Sequence, residues 1–316
     1  MNTEDWKNEA IAFLAIASLK NSDYWRMYNL SKLGESYTYI LKQKPYNENE
    51  TILNLEFTKK EWDFQKQELW KKGQLIARQL AHNGIRLIFP EQEEFPDKLK
   101  TIPTPPKWLF VQGNTHNLST KSVAIVGTRK PSEEGVFMTK VIISGLCLKD
   151  IVTVSGLAVG IDHIVHMESI QYDIPTVAIL GYGFDEEYPK GTQQTRDEIL
   201  RNGGTIISEY LPWQKGSAQT FIRRNRLQAG LASSLIPVEW DIKSGTAHTV
   251  KFASEFNRKI YCTYLPKAKL IRPEIVYAEN KYNVVSYVLP NQISELITAV
   301  QQDHNSEDNK QMPFEI

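Results

Sequence analysis

Three observations predict an α/β fold in which helices wind over both faces of a mostly parallel sheet, with a small helical domain ahead of it. From residue 122 onward, short apolar runs alternate with stretches of helix length. Those runs, Val123–Val126 being the first, are continuously apolar and do not alternate with polar residues, so both faces of each strand are expected to be covered. Before residue 85, in contrast, Trp62, Leu69, Ile76 and Leu80 recur at helical spacing on one face. Together these specify a Rossmann-like, doubly wound sheet preceded by a helical bundle.

Taken in order, Thr3 is expected to cap a first helix carrying Trp6, Ile11, Phe13 and Leu14. The polar stretch 44–50 interrupts the pattern. A long helix follows over 58–82, ended by a left-handed turn at Asn83-Gly84. Residues 85–89 read as a short strand, and the proline-rich stretch 95–106 as an extended join. Strands are expected over 123–126, 151–154, 176–180, 205–207, 235–238 and 260–263. The helices between and after them are expected over 132–148, 160–171, 195–201, 221–231 and 246–256. Residues 275–287 are expected to add one or two strands and 292–300 a last helix, while 301–316 is polar and expected to fray. The domains are therefore read as 1–84, 85–270 and 271–316.

Composition narrows the function classes. The 316 residues are 41% hydrophobic and 23% charged, with a formal net charge of zero, so any nucleic-acid binding has to come from a focused patch. The two cysteines, Cys147 and Cys262, lack metal-like spacing and read as small packed residues of a reducing compartment. No apolar run approaches the roughly 18 residues of a membrane span. The acidic N-terminus Met-Asn-Thr-Glu-Asp-Trp has no signal-peptide anatomy, and a cytoplasmic location is expected.

In a doubly wound sheet, ligands sit at the carboxyl ends of the strands, so the loops there are read as one site. The first, Gly127-Thr-Arg-Lys-Pro-Ser-Glu-Glu-Gly135, is neither a Walker loop nor a dinucleotide fingerprint; it offers Arg129, with Ser132 as a helix cap. The second, Ser155-Gly-Leu-Ala-Val-Gly-Ile-Asp162, brings Ser155, Gly156 and backbone amides to a helix start. Asp162, His163 and His166 lie at helical spacing there, and a capping aspartate with packing histidines outweighs a metal site. The third, 181–190, contains Gly181, three aromatics (Tyr182, Phe184, Tyr188) and Lys190; each aromatic by itself is more readily a packing residue than a stacking one. The fourth leads to Thr-Phe-Ile-Arg-Arg-Asn-Arg over 220–226, which crowds Arg223, Arg224 and Arg226 around Asn225, just after Phe221. Crowded guanidiniums repel unless a forked anion such as phosphate lies among them, although a charge run by itself is usually a solvated helix face. The fifth places Lys243 before Ser244-Gly245-Thr246 at another helix start. Cations, glycine amides and aromatics on one rim are what a sequence-tolerant single-strand binder requires.

In this order the motifs resemble the DNA-processing protein A (DprA, or Smf) family. They are Val123-Ala-Ile-Val-Gly-Thr-Arg129, Ser155-Gly-Leu-Ala with Gly160-Ile-Asp162, and Gly181-x-Gly-x-Asp-x-x-Tyr-Pro189. Then follow Ser208-Glu-Tyr210, Phe221-x-Arg-Arg-Asn-Arg226 with Ala229-Gly-Leu231, Glu239 and Ser244-Gly245. The chain looks like a divergent member: Ile222 stands where the family usually has proline, and no winged-helix pattern follows Pro266. The resemblance implies non-sequence-specific binding of single-stranded DNA, handover to a RecA-type recombinase in natural transformation or related DNA handling, a homodimer, no membrane association, no cofactor and no catalytic step. Carried over residue by residue, it implies DNA contacts from Arg129, Ser155, Gly156, Gly181, Lys190, Phe221, Arg223, Arg224, Asn225, Arg226, Lys243, Ser244 and Gly245. Helical spacing puts 223 and 226 on one face and 224 about 100° away. The three arginines are thus not all expected to meet DNA, and one is expected to brace Glu209 or Glu239. The alternative on the same fold is a nucleotide-binding sensor or a nucleoside-monophosphate hydrolase-like enzyme in a phage-defence setting. For it, only Ser244-Gly-Thr-Ala-His248 is on offer, without a well-placed acid.

Overall fold

The computed structural model describes residues 2–20, 22–43, 59–266, 268 and 272–308. The chain opens with four helices, α1 (Thr3–Ala17), α2 (Tyr24–Ser31), α3 (Tyr37–Gln43) and α4 (Lys59–His82). The cap of α1 is Asn2 and not Thr3: its side chain accepts from the Asp5 amide while Asp5 accepts from the Asn2 amide, each at 2.9 Å. This reciprocal pair satisfies two amides that the helix start leaves open. Residues 11–17 of α1 are buried all round, because α3, α4 and the sheet enclose that helix. Gly73 makes the α1–α4 approach possible, since a Cβ there would lie 2.3 Å from the Ile11 carbonyl oxygen. The buried Glu9 carboxylate in α1 accepts from the Tyr37 and Thr38 amides and so caps α3 from a neighbouring helix. Gly84, at φ +69°, makes the expected left-handed turn after α4. The break expected over 44–50 lies outside the described residues.

A nine-stranded sheet follows. Strands β1 (Ile85–Ile88) and β2 (Leu109–Gly113) are antiparallel, and α5 (Asp97–Lys100) lies between them. The stretch read as an extended join thus contains a helical turn and leads into a strand. Its prolines lie ahead of β2, where they remove no ladder hydrogen bond. Then come β3 (Ser122–Gly127), α6 (Glu133–Leu146), β4 (Val152–Ser155), α7 (Ile161–Gln171), β5 (Thr176–Ile179), α8 (Thr192–Arg201) and β6 (Thr205–Ser208). After them follow α9 (Ala218–Leu231), β7 (Ser234–Val238), α10 (Gly245–Glu255), β8 (Lys259–Tyr264), α11 (Pro273–Lys281), β9 (Val284–Val288) and α12 (Ile293–Asp308). Strands β4 to β7 are buried along their whole length, as continuously apolar strands between two helical layers should be.

The order is β1-β2-β6-β5-β4-β3-β7-β8-β9, parallel from β6 to β9, with β2 antiparallel to β6. The chain winds outward from β3 to β6, returns to the other side of β3 with β7, and continues outward. The β3–β7 gap is therefore the switch point, where a crevice opens at the carboxyl ends of the strands. Of the two strands expected at most from 275–287, one forms: β9 pairs with β8, and α11 occupies the residues before it. One core lies under α6, α7 and α12, and a second under α5, α9, α10 and α11. A third joins the N-terminal helices to β2, β5 and β6. Among the described residues no helix is long and apolar enough to cross a membrane.

Trp108 sits in this third core, with its ring centroid 5.0 Å from Phe13 and 5.4 Å from Tyr24. Trp108→Ala is expected to cost about 3–5 kcal/mol, read as a lower denaturant midpoint in equilibrium unfolding.

Candidate functional site

At the switch point the strand-end loops surround an open cleft of about 600 Å³, walled by Arg129 and Lys130, by Tyr188, by Phe221 and Asn225 of α9, and by Ser244 and Gly245 at the start of α10. α9 begins three residues earlier than periodicity predicts, because Ser217 and Thr220 form a capping box: the Thr220 amide donates to Ser217 Oγ at 3.2 Å and the Ser217 amide to Thr220 Oγ1 at 2.8 Å. That start lifts Phe221 to the cleft mouth. Its ring packs 4.8 Å from Tyr188, with the Arg129 guanidinium 5.7 Å above it. Gly181 makes room for that ring, since a Cβ would meet Phe221 Cδ1 at 2.5 Å. Of the three aromatics in the third loop, Tyr182 and Phe184 are buried and only Tyr188 is exposed.

The three arginines of α9 divide their work. Arg226 is buried, and its Nη2 donates to Glu209 Oε2. Arg223 points away from the cleft to the N-terminal helices. Its Nη2 donates to Tyr24 Oη at 2.6 Å, and its Nε lies 3.6 Å from Glu209 Oε1. Its guanidinium lies over the rings of Tyr24, Trp25 and Tyr28, at 4.6, 4.4 and 5.3 Å. Burial pulls the Arg223 guanidinium down, but Glu209 and Tyr24 outweigh it and hold it above its ordinary value. Arg224 lies at the cleft floor, 4% exposed. Its Nη1 donates to the carbonyls of Gly156 and Ile179, just beyond β4 and at the end of β5. Burial lowers the Arg224 guanidinium and raises the facing Asp162 carboxyl, each opposed by the charge of the other. The brace expected to Glu209 or Glu239 is thus made to Glu209. Glu239 instead accepts from the Ser132 amide at 2.9 Å, at the start of α6.

The remaining residues separate by exposure. Ser155 is fully buried and donates from Oγ to the Ile125 carbonyl at 2.7 Å; Gly156 is buried beneath Arg224. Asn225 accepts from Arg224 Nε at 3.1 Å and donates to the Gly245 carbonyl at 3.0 Å, tying α9 to the start of α10. Arg129, Lys190, Lys243 and Gly245 are exposed. Glu187 accepts from the Gly191 and Gln193 amides at the start of α8, and these bonds hold its carboxyl below the ordinary range. The starts of α6 and α8 are therefore occupied by carboxylates. At the start of α10, Ser244 makes no side-chain cap, its buried Oγ has no partner among the described residues, and the space around Gly245 is open. Lys130 carries no motif of its own; adjacency to Arg129 is the one sequence signal that marks it.

Residues 86–273 match the family of DNA recombination-mediator protein A. The chain belongs to that family. It is 33% identical over 204 residues to Protein Smf of Synechocystis sp., covering 63% of this chain and 50% of that protein. It is 36% identical to DNA processing protein DprA of Streptococcus pneumoniae, over 53% of this chain and 58% of that one. The chain spans half to two thirds of the length of these relatives. A solved structure of the Streptococcus pneumoniae protein superposes on 98% of this chain and 99% of its own, with a TM-score of 0.65 at 24% identity. A structure addressing the single-stranded DNA binding mode of DNA processing protein A from Helicobacter pylori covers 69% of this chain and 98% of its own. Its TM-score is 0.59 at 26% identity.

The histidine-bearing helix α7 is built for packing. His166 is buried and shares a hydrogen bond of 2.8 Å between Nδ1 and Thr176 Oγ1, while Asp162 accepts from the Gly156 and Ala158 amides. Among the described residues no group of three or more His, Cys, Asp or Glu side chains is arranged to hold a metal ion.

Two outcomes are expected. Glu209→Ala leaves the Arg226 guanidinium buried without its carboxylate and is expected to cost about 3–5 kcal/mol, with Glu209→Gln costing less, in denaturant titrations. Burial, then the electrostatic influence of the neighbouring His163 and Arg224 side chains, push His166 from 6.5 down to about 3. The folded state therefore refuses a proton that the unfolded chain accepts. Its contribution is fully present above pH 6.5 and is lost as pH falls toward 3, amounting to about 2 kcal/mol by pH 5. A His166→Gln variant, less stable at neutral pH, is expected to show a flatter fall in stability between pH 7 and 5.

Proposed function

We propose that the cleft binds single-stranded DNA without sequence preference, and that the chain acts as a mediator that delivers the strand to a RecA-type recombinase. The observation that carries this reading is the Arg129–Phe221–Tyr188 stack, which faces an uncapped α10 start flanked by Lys243. It combines an aromatic surface for bases with charge and amides for phosphates. The Helicobacter pylori relative, described by its single-stranded DNA binding, supports the ligand class, and the family's description as a recombination mediator supports the role. Within this reading the contacting set is Arg129, Lys190, Phe221, Lys243, Ser244 and Gly245, joined by Lys130 and Tyr188. Arg223, Arg224, Asn225, Arg226, Ser155, Gly156 and Gly181 shape the cleft from behind. The same reading includes a cytoplasmic homodimer that performs no chemical step. It also takes residues 1–84 as a helical unit, 85–270 as the binding unit and 271–316 as an extension of its sheet.

One observation favours a second reading, a mononucleotide sensor: Ser244 lines a cleft sized for a small molecule, and its buried Oγ has no partner among the described residues. Calorimetric binding of AMP by a protein that ignores oligonucleotides would select it.

Fluorescence anisotropy with labelled oligo-dT tests the DNA reading. Removing two phosphate-contacting cations in Arg129→Ala/Lys243→Ala is expected to lower affinity at least tenfold. It is also expected to reduce the slope of log affinity against log salt by about 1.4. Phe221→Ala is expected to weaken binding without changing that slope. Unchanged affinity in the double variant would sink the assignment.

A further inference from the structure

Beyond the cleft, one aromatic and cationic surface is not used by anything described so far. On α2, Trp25 is 52% exposed although the Arg223 guanidinium lies over its ring at 4.4 Å. Positions 25, 29 and 32 share one helical face, and Trp25, Asn29 and Lys32 are all exposed. Lys32 Nζ lies 4.8 Å over the Tyr28 ring, and Tyr24 and Tyr28 meet the Trp25 ring edge-on at 5.3 and 5.9 Å. The carboxylate on this helix, Asp23, is engaged by the Arg26 amide at 2.8 Å as the α2 cap. Glu209, the acid beneath, is buried and spent on Tyr24 and Arg226.

This surface adjoins the cleft. Arg223 follows Ile222, which lines the cleft, about 100° around α9. In the exposed first turn of that helix, Ala218 also lines the cleft, and Gln219 lies one helical turn before Arg223. Ile222 thus lines the cleft while its neighbour Arg223 lies against Trp25, which joins the two surfaces through the first turns of α9. We propose that Trp25, backed by Arg223, is a second stacking station for the same single strand, so that α2 of the N-terminal helices takes a nucleobase beyond those held in the cleft. The chemistry is the same as at Phe221: a ring fixed from behind by a guanidinium accepts any base, with Lys32 near enough to meet the backbone. A protein partner fits less well, because the surface is one ring among cations and not a continuous apolar patch.

The proposal rests on the DNA reading of the cleft, and oligonucleotide length separates the two. Binding of labelled dT of about 6 and about 20 nucleotides is measured by anisotropy for the full chain and for Trp25→Ala, Trp25→Leu and Trp25→Phe. Leu and Phe both keep an apolar cover on Arg223, but only Phe stacks. The expected result is roughly tenfold weaker binding of the long strand by the Ala and Leu variants, near-normal binding by the Phe variant, and unchanged binding of the short strand. Equal losses at both lengths would mean that Trp25 acts by positioning α9, and would overturn the proposal, as would no loss at either length. Wild-type protein that binds neither length would overturn the cleft reading and this one together. Normal wild-type binding that is indifferent to Trp25 would overturn this one alone.

Discussion

The carboxylate of Glu209 is the interaction on which the rest of the structure depends. It is buried where β6 ends, accepts from Arg226 Nη2 and from Tyr24 Oη at 3.0 Å, and lies 3.6 Å from Arg223 Nε. A buried charge of this kind is tolerated only when its partners are close and fixed. Here those partners come from α9 and from the N-terminal α2. One acid thus sets the rotation of α9 about its axis and docks the helical bundle against the sheet. Tyr24 serves both charges: its hydroxyl donates to Glu209 and accepts from Arg223, and burial, with Glu209 next, pushes its ionisation up so that it stays a neutral bridge.

With that rotation fixed, the other side of α9 builds the cleft. Arg224 gathers the carbonyls beyond β4 and at the end of β5, Asn225 fastens the start of α10, and Phe221 reaches the mouth beside Arg129. Crowding three guanidiniums into one turn is stable without a bound phosphate because Glu209 lies between Arg223 and Arg226 while Arg224 turns to the Gly156 and Ile179 carbonyls. The cations left for a ligand are the peripheral ones, Arg129, Lys130, Lys190 and Lys243, which are exposed. Carboxylates close the helix starts at α6 and α8, whereas the start of α10 carries no side-chain cap. The site therefore combines a rigid, internally neutralised floor with a cationic rim, which suits a ligand held by backbone charge and stacking.

Much of this was legible in the sequence. Continuous apolar strands separated by helix-length segments determined the parallel sheet, because a strand covered on both faces has no polar side to show. The order of strands and loops determined that the glycine- and arginine-bearing loops gather around one cleft at the carboxyl edge, because parallel winding brings them together. The chain alone also determined that Arg223 and Arg224 diverge, since neighbouring helical positions lie about 100° apart. Strand β2 was hidden by its prolines, which are compatible with a strand only because they precede its ladder. The antiparallel edge and the place of β9 depend on pairing between distant segments, which local pattern does not encode. Tertiary structure alone decided which arginine faces what, since Glu209, Tyr24 and Trp25 approach α9 from segments up to 199 positions away. Burial, a property of the assembled fold and not of any motif, turned Ser155 and two of the three arginines into framework. It left the α10 start exposed at Gly245, above a buried Ser244 hydroxyl without a partner among the described residues.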